Sequence, residues 1–247
     1  PRNHSSAASD VYKRQASTVV LLRDTDNGME TLMLKRNKAL MFAGGLWVFP
    51  GGALEEADIE AADGDISTAA RIAAAREAEE ECGLRPDTQN MVHLSHWTTP
   101  IAEPKRFETW IYAAPIAKDA DVAIDGSEIH DFAWILVKDA VAQHEAGEFG
   151  MLPPTYITLL CLLRYTTTAE MTAGESEIPP PYVFPVFTKT EGKMAVLFQG
   201  DAGYETGDGS AAGARHRAIM QEKGWEYVYS DVDDLSLIHI SEPTRHR

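Results

Sequence analysis

The chemistry-bearing stretch of this chain is Arg76-Glu77-Ala78-Glu79-Glu80-Glu81-Cys82-Gly83-Leu84. On a helix, at about 100° per residue, Glu77, Glu80 and Glu81 fall within one arc of about 100°, while Glu79 points elsewhere. Three carboxylates gathered this way repel one another unless a positive charge sits among them. A hard divalent cation with oxygen ligands, Mg²⁺ or Mn²⁺, meets that need. Arg76 can pair with one carboxylate and hold its rotamer. A solvated acidic helix face would carry the same residues, so the surrounding sequence has to decide.

The elements around this stretch support the metal reading. Ser67 to Cys82 is rich in Ala and Glu, starts on Ser-Thr and stops at Gly83, which predicts a helix. Upstream lies Phe49-Pro50-Gly51-Gly52, where a glycine pair lets backbone carbonyls come close to a metal or phosphate. Residues 55–66 are acidic and without apolar periodicity, which predicts an exposed loop carrying Asp58. Ser17–Arg23 and Glu30–Arg36 read as strands joined by a turn over Asp24–Gly28 that contains Asn27-Gly28. Further strands are predicted at His93–Trp97, Phe107–Ala113 and Phe132–Val137, and helices at Lys138–Glu145 and Tyr156–Tyr165. Pro179–Pro181 marks a break, and Gly200–Gly213 a long loop. Strands and helices alternate irregularly, which favours a mixed α/β sandwich over a parallel doubly wound sheet.

Together these residues resemble the Nudix box, G-x5-E-x7-R-E-U-x-E-E-x-G-U, with U aliphatic. Gly52, Arg76, Glu77, Glu80, Glu81, Gly83 and Leu84 match. Asp58 stands where the family has Glu, Ala78 is small for the aliphatic position, and the Asp58–Arg76 spacer is longer than the family's. The resemblance implies a Nudix α/β/α sandwich with a mixed β-sheet. It also implies metal-dependent hydrolysis of nucleoside diphosphates linked to another moiety. By position it implies Mg²⁺ or Mn²⁺ held by Glu77, Glu80, Glu81 and the Gly51 carbonyl. Glu77 is then the leading general base, Glu80 and Arg76 join it as catalytic residues, and Glu128 supplies a later-loop carboxylate for metal or catalysis. Leu32–Gly52, Arg106-Phe107-Glu108-Thr109 and Pro153-Pro154-Thr155 are similar to bacterial relatives of the peroxisomal coenzyme A diphosphatase branch. Within that signature Arg36, Gly45 and Phe49–Gly52 match, whereas Asn37 and Met41 depart from it. The likeness implies coenzyme A or acyl-coenzyme A as substrate, with Arg36, Arg106, Phe107 and Gly52 in substrate binding. ADP-ribose, NADH and nucleotide sugars remain alternative substrates, and a non-catalytic Nudix ligand-binding module is the alternative class.

Composition bounds the partners. Of 247 residues, 38 are acidic and 22 basic, for a formal charge of −16, which disfavours a nucleic-acid backbone binder. No apolar run approaches the ~20 residues of a membrane span. Two cysteines exclude a disulfide framework and suit a reducing, cytoplasmic setting. A small nucleotide is the expected partner, with a homodimer as one assembly left open. His93, His96, His130, His144 and His216 show no metal spacing and read as surface or core residues.

The two ends stand apart. Read as the codons GAT GTG TAT AAG AGA CAG, Asp10–Gln15 has a complementary strand that translates to Leu235–Ile240. Residues 1–15 and 235–247 therefore resemble translated sequencing adapters and are expected to be disordered. The remainder divides into a Nudix domain at 16–150 and a C-terminal extension of it at 151–234. No targeting statement follows.

Overall fold

The computed structural model describes residues 14–40, 43–99, 106–124 and 126–232. Residues 1–13 and 235–247 of the two set-apart ends, and Met41 of the coenzyme A signature, lie outside the described residues. Strands β1 (Arg14–Thr25) and β2 (Gly28–Arg36) form the expected antiparallel hairpin, turning at Asp26-Asn27 with Gly28 at φ +124°. Strand β1 starts earlier than the sequence suggested. Arg14 and Gln15, assigned above to a disordered tail, pair in parallel with Phe107 and Glu108 of β6 (Phe107–Pro115). The Leu54 N–H also donates to the Gln15 carbonyl at 2.9 Å. Their backbone groups find ladder partners, and that orders these two residues.

The other strands of this sheet are β3 (Trp47–Val48), β4 (Gly51–Ala53), β5 (Val92–Thr98), β7 (Ile129–Leu136) and β8 (Tyr182–Val183). The order is β3-β2-β1-β6-β5-β8, with β4 on β1 and β7 on β2. β1–β6 and β5–β8 are parallel and the remaining pairs antiparallel, giving the expected mixed sheet. The central strands are covered on both faces, so β1 reads as an unbroken apolar run rather than an alternation. On one face Val19, Leu21, Leu32 and Leu34 meet Ala70, Ala74, Ala75 and Ala78 of α2 (Ile66–Cys82). On the other, Val20, Leu22 and Met33 join the core of α3 (Val137–Ala146) and α4 (Pro153–Leu162).

Helix α2 ends at Gly83 as its sequence announces, but it starts at Ile66, with Asp65 rather than the Ser-Thr pair as its N-cap. The Asp65 side chain accepts from Thr68 N–H at 2.9 Å, and Gly83 closes the helix at φ +73° with its N–H on the Glu79 carbonyl. The expected loop at 55–66 instead begins with helix α1 (Glu56–Ala61). A capping box between Glu55 and Asp58 supplies the start signal in place of apolar periodicity.

Beyond α4 the chain forms α5 (Thr168–Ser176), then β9 (Val186–Thr190), β10 (Lys193–Leu197), β11 (Arg215–Gln221) and β12 (Gly224–Ser230). The last four make an antiparallel sheet in the order β12-β11-β10-β9, which the sequence reading did not foresee. Val196, Phe198, Ala218 and Trp225 enter the same core as α3 and α4. Among the described residues, no helix is long and apolar enough to cross a membrane.

Candidate active site

The alanine face of α2 lies on the sheet, which turns Arg76, Glu77, Glu80 and Glu81 toward β4 and the end of β2. Arg76 is the organiser. Its Nε and one terminal nitrogen fork onto Asp58 at 3.2 and 3.0 Å. The same nitrogen reaches the Ala53 carbonyl at 3.1 Å. The other donates to Glu77 at 3.0 Å and Glu80 at 3.3 Å. Burial opposes the guanidinium charge, but the Asp58 and Glu77 bonds outweigh it and hold the pKa above its usual value. Every one of these contacts is to a protein oxygen, so Arg76, expected among the catalytic residues, here ties Asp58, Ala53, Glu77 and Glu80 together. Asp58, 3% exposed, also accepts the Glu55 N–H at 2.9 Å, tying α1 to the cluster. The long spacer after Asp58 is taken up by the rest of α1 and the start of α2, so the fork survives.

Glu81 is buried and accepts the Gly51 N–H at 2.9 Å. Burial pushes its carboxyl up to about 8; Gly51 and the charge of Arg36 pull it back, and Glu77 and Glu128 push it further. Burial likewise raises Glu77, against Arg76, with Glu80 and Glu55 adding to the rise. Burial is the main cause of both rises, and carboxylates of this kind are the hard oxygen ligands that a divalent cation takes. Among the described residues no group of three or more His, Cys, Asp or Glu is drawn tightly enough to hold a metal in this arrangement. Glu77 and Glu80 face Arg76, and Glu81 faces Gly51.

The glycines do different jobs. Val19 N–H to Pro50 and Leu54 N–H to Gln15 fix the ladder phase between β1 and β4. Gly51, opposite Thr18, falls in a non-hydrogen-bonded position, so its N–H and carbonyl both face away from β1. A Cβ there would lie 2.4 Å from the Ser17 carbonyl. A Cβ on Gly52 would instead land 2.4 Å from the Glu77 carboxyl, so Glu77 fills the space that glycine leaves.

Arg36 pairs with Glu128 at 3.3 Å, and the Asn37 N–H bonds the Glu128 carbonyl at 2.8 Å. Both side chains stand within electrostatic reach of Glu81. Arg106 and Phe107 are elsewhere. Phe107 pairs with Arg14, four residues along β1 from the Thr18–Gly51 rung, roughly 13 Å at ~3.3 Å per residue. The structure therefore brings together Gly51, Gly52, Arg76, Glu77, Glu80 and Glu81, with Arg36 and Glu128 beside them, and leaves Arg106 and Phe107 outside. The sequence missed Ala53 and left Asp58 open; the Glu55–Asp58 capping spacing was the available signal.

Other candidates have structural duties. Cys82 is buried with its thiol on the Ala78 carbonyl, and burial pushes it up to about 11. The Gly200–Gly213 loop spends its Gly207 and Gly209 carbonyls on Thr188, Thr190 and the buried Arg217. His96, His144 and His216 are buried and His130 is exposed.

One protein-family model, described as NUDIX domain, matches residues 13–154. A Caenorhabditis elegans protein carrying the name nudix hydrolase 7 is 25% identical over 227 residues, 77% of this chain and 74% of that one. The crystal structure of a NUDIX hydrolase from Alicyclobacillus acidocaldarius matches with a TM-score of 0.61 at 22% identity, covering 68% of this chain and 99% of that one. That second likeness is one of fold.

Proposed function

Because this chain belongs to the Nudix family, whose hydrolases act on pyrophosphate bonds, we propose that it cleaves the diphosphate of coenzyme A or an acyl-coenzyme A. The observation that supports hydrolysis is Glu81 bonded to Gly51, Glu77 seated against Gly52 and Glu80 beside it on Arg76, which the Asp58 fork fixes. The likeness of Arg106–Thr109 and Pro153–Thr155 to the coenzyme A diphosphatase branch supports the substrate.

In this reading Glu77, Glu80, Glu81 and the outward-facing Gly51 carbonyl hold Mg²⁺ or Mn²⁺. When bound, the cation screens the diphosphate charge and aids attack of water at phosphorus. Glu77 accepts the proton of that water at its carboxylate. Asp58 holds Arg76, and Arg76 keeps Glu77 and Glu80 aimed. Arg36 offers a guanidinium to a substrate phosphate, with Glu128 beside it as a further carboxylate. Arg106 and Phe107, away from the carboxylates, suit a distal part of a long substrate.

The test incubates the protein and Glu80→Gln with Mg²⁺ or Mn²⁺ and coenzyme A, acyl-coenzyme A, ADP-ribose, NADH or a nucleotide sugar, resolving products by mass spectrometry. Release of 3′,5′-ADP and a phosphopantetheine, lost in the variant, is expected. Cleavage of other diphosphates alone would discard the coenzyme A assignment. No turnover by folded protein would overturn the catalytic reading in favour of a binding module.

A further inference from the structure

Ser17 sits on β1 directly opposite Gly52. The ladder phase set by Val19–Pro50 and Gln15–Leu54 makes Ser17–Gly52 a hydrogen-bonded pair, whose side-chain directions share one face. Opposed Cβ positions in such a pair lie roughly 5 Å apart. The Gly52 Cβ position is the one filled by the Glu77 carboxyl, whose atoms lie 2.4 to 2.6 Å from it. The Ser17 side chain therefore looks into the space that Glu77 occupies.

Ser17 is 1% exposed, and its Oγ has no hydrogen-bond partner among the described residues. Its neighbours on that face, Val19 and Leu21, pack on the alanines of α2. A sealed hydroxyl without a partner destabilises a fold, and an alanine would fill this face without that penalty. The hydroxyl makes sense if its partner comes with a ligand.

We propose that Ser17 is a positioning residue of the carboxylate site. Its Oγ–H is the donor that holds Glu77 on the Gly52 side when that carboxylate turns from Arg76 to a divalent cation. The inference rests on the reading of Glu77 as a cation ligand and adds a residue outside the box motif. Glu81 is already held by Gly51, whereas among the described residues Glu77 is bonded by Arg76 alone and would otherwise lose its anchor.

The test measures Mn²⁺ binding by calorimetry and metal-free Tm for wild type, Ser17→Ala and Ser17→Cys. Loss of an outer hydrogen bond to a ligand weakens metal binding roughly 10- to 100-fold, and that is expected for Ser17→Ala. Its metal-free Tm should stay level or rise, because no native bond is lost. Ser17→Cys keeps the volume but is a poor donor, so its Mn²⁺ affinity should fall with that of Ser17→Ala. On the substrate that wild type cleaves, kcat should fall with KM unchanged. Wild-type affinity in either variant would overturn the proposal, since volume alone would then suffice. A lowered metal-free Tm in both would also overturn it, by showing a partner in the resting fold. Wild type that binds no Mn²⁺ would instead remove the cation reading beneath it.

Discussion

Gly52→Ala isolates the placement of Glu77. An alanine Cβ would sit 2.4 Å from the Glu77 carboxyl, against the 3.4 Å at which ordinary contact begins. The obstacle is the end of a side chain, so the fold can yield by moving Glu77 about 1.0 Å and loosening its 3.0 Å bond to Arg76. A displacement of ~1 Å in a catalytic group costs on the order of 100-fold in rate, about 2.7 kcal/mol at 1.36 kcal/mol per decade. Gly52 does not require a positive φ, so the backbone accepts alanine. Thermal stability should therefore shift by no more than ~0.5 kcal/mol, as for a benign substitution. The assay is kcat/KM on the diphosphate that wild type cleaves, with Tm measured alongside. A kcat/KM within about threefold of wild type, at unchanged Tm, would refute the claim that Glu77 must occupy the Gly52 space.

Gly51→Ala should behave oppositely, because its Cβ would meet Ser17 and Thr18 backbone at 2.4 and 2.6 Å; a fall in Tm larger than that of Gly52→Ala is expected. Glu80→Gln should lower kcat by roughly 100-fold or more, yet leave the urea midpoint nearly unchanged, since the side chain is 58% exposed. Asp201→Asn should cost ~3–5 kcal/mol in urea denaturation, because it strips charge from a pair with Arg217 whose side chains are 0% and 2% exposed. Burial lowers the His144 pKa, although its ring accepts the Trp225 N–H and bonds Phe149 O. The native state thus refuses a proton that the unfolded chain takes below about 6.5. The contribution of His144 is complete above that pH and shrinks as pH falls toward the native pKa. The urea-midpoint gap between wild type and His144→Gln should narrow from pH 7.5 to 5, and a constant gap would contradict this.

The sequence by itself determined the parts whose signals are local. The Ala- and Glu-rich run ending at Gly83 makes α2, and that helix alone puts Glu77, Glu80 and Glu81 on one side. The Asn27-Gly28 turn and the apolar runs beside it make the β1–β2 hairpin. The matched spacing of Arg76 to Leu84 was enough to suggest the family. The tertiary structure decided what depends on contacts across the chain. Asp58 and Arg76 are 18 residues apart and meet only because α1 folds back on α2. Gly51 and Gly52 look alike in sequence, but ladder phase sends one to Glu81 and leaves the other as a socket for Glu77. Arg106 and Phe107, plausible beside any phosphate site, fall four rungs away because β6 pairs with the far end of β1. The second sheet escaped the sequence because short strands with half-exposed faces, such as β9 and β10, carry weak periodicity. Their order comes from cross-strand bonds and the Asp201–Arg217 pair, which appear only once the chain has closed on itself.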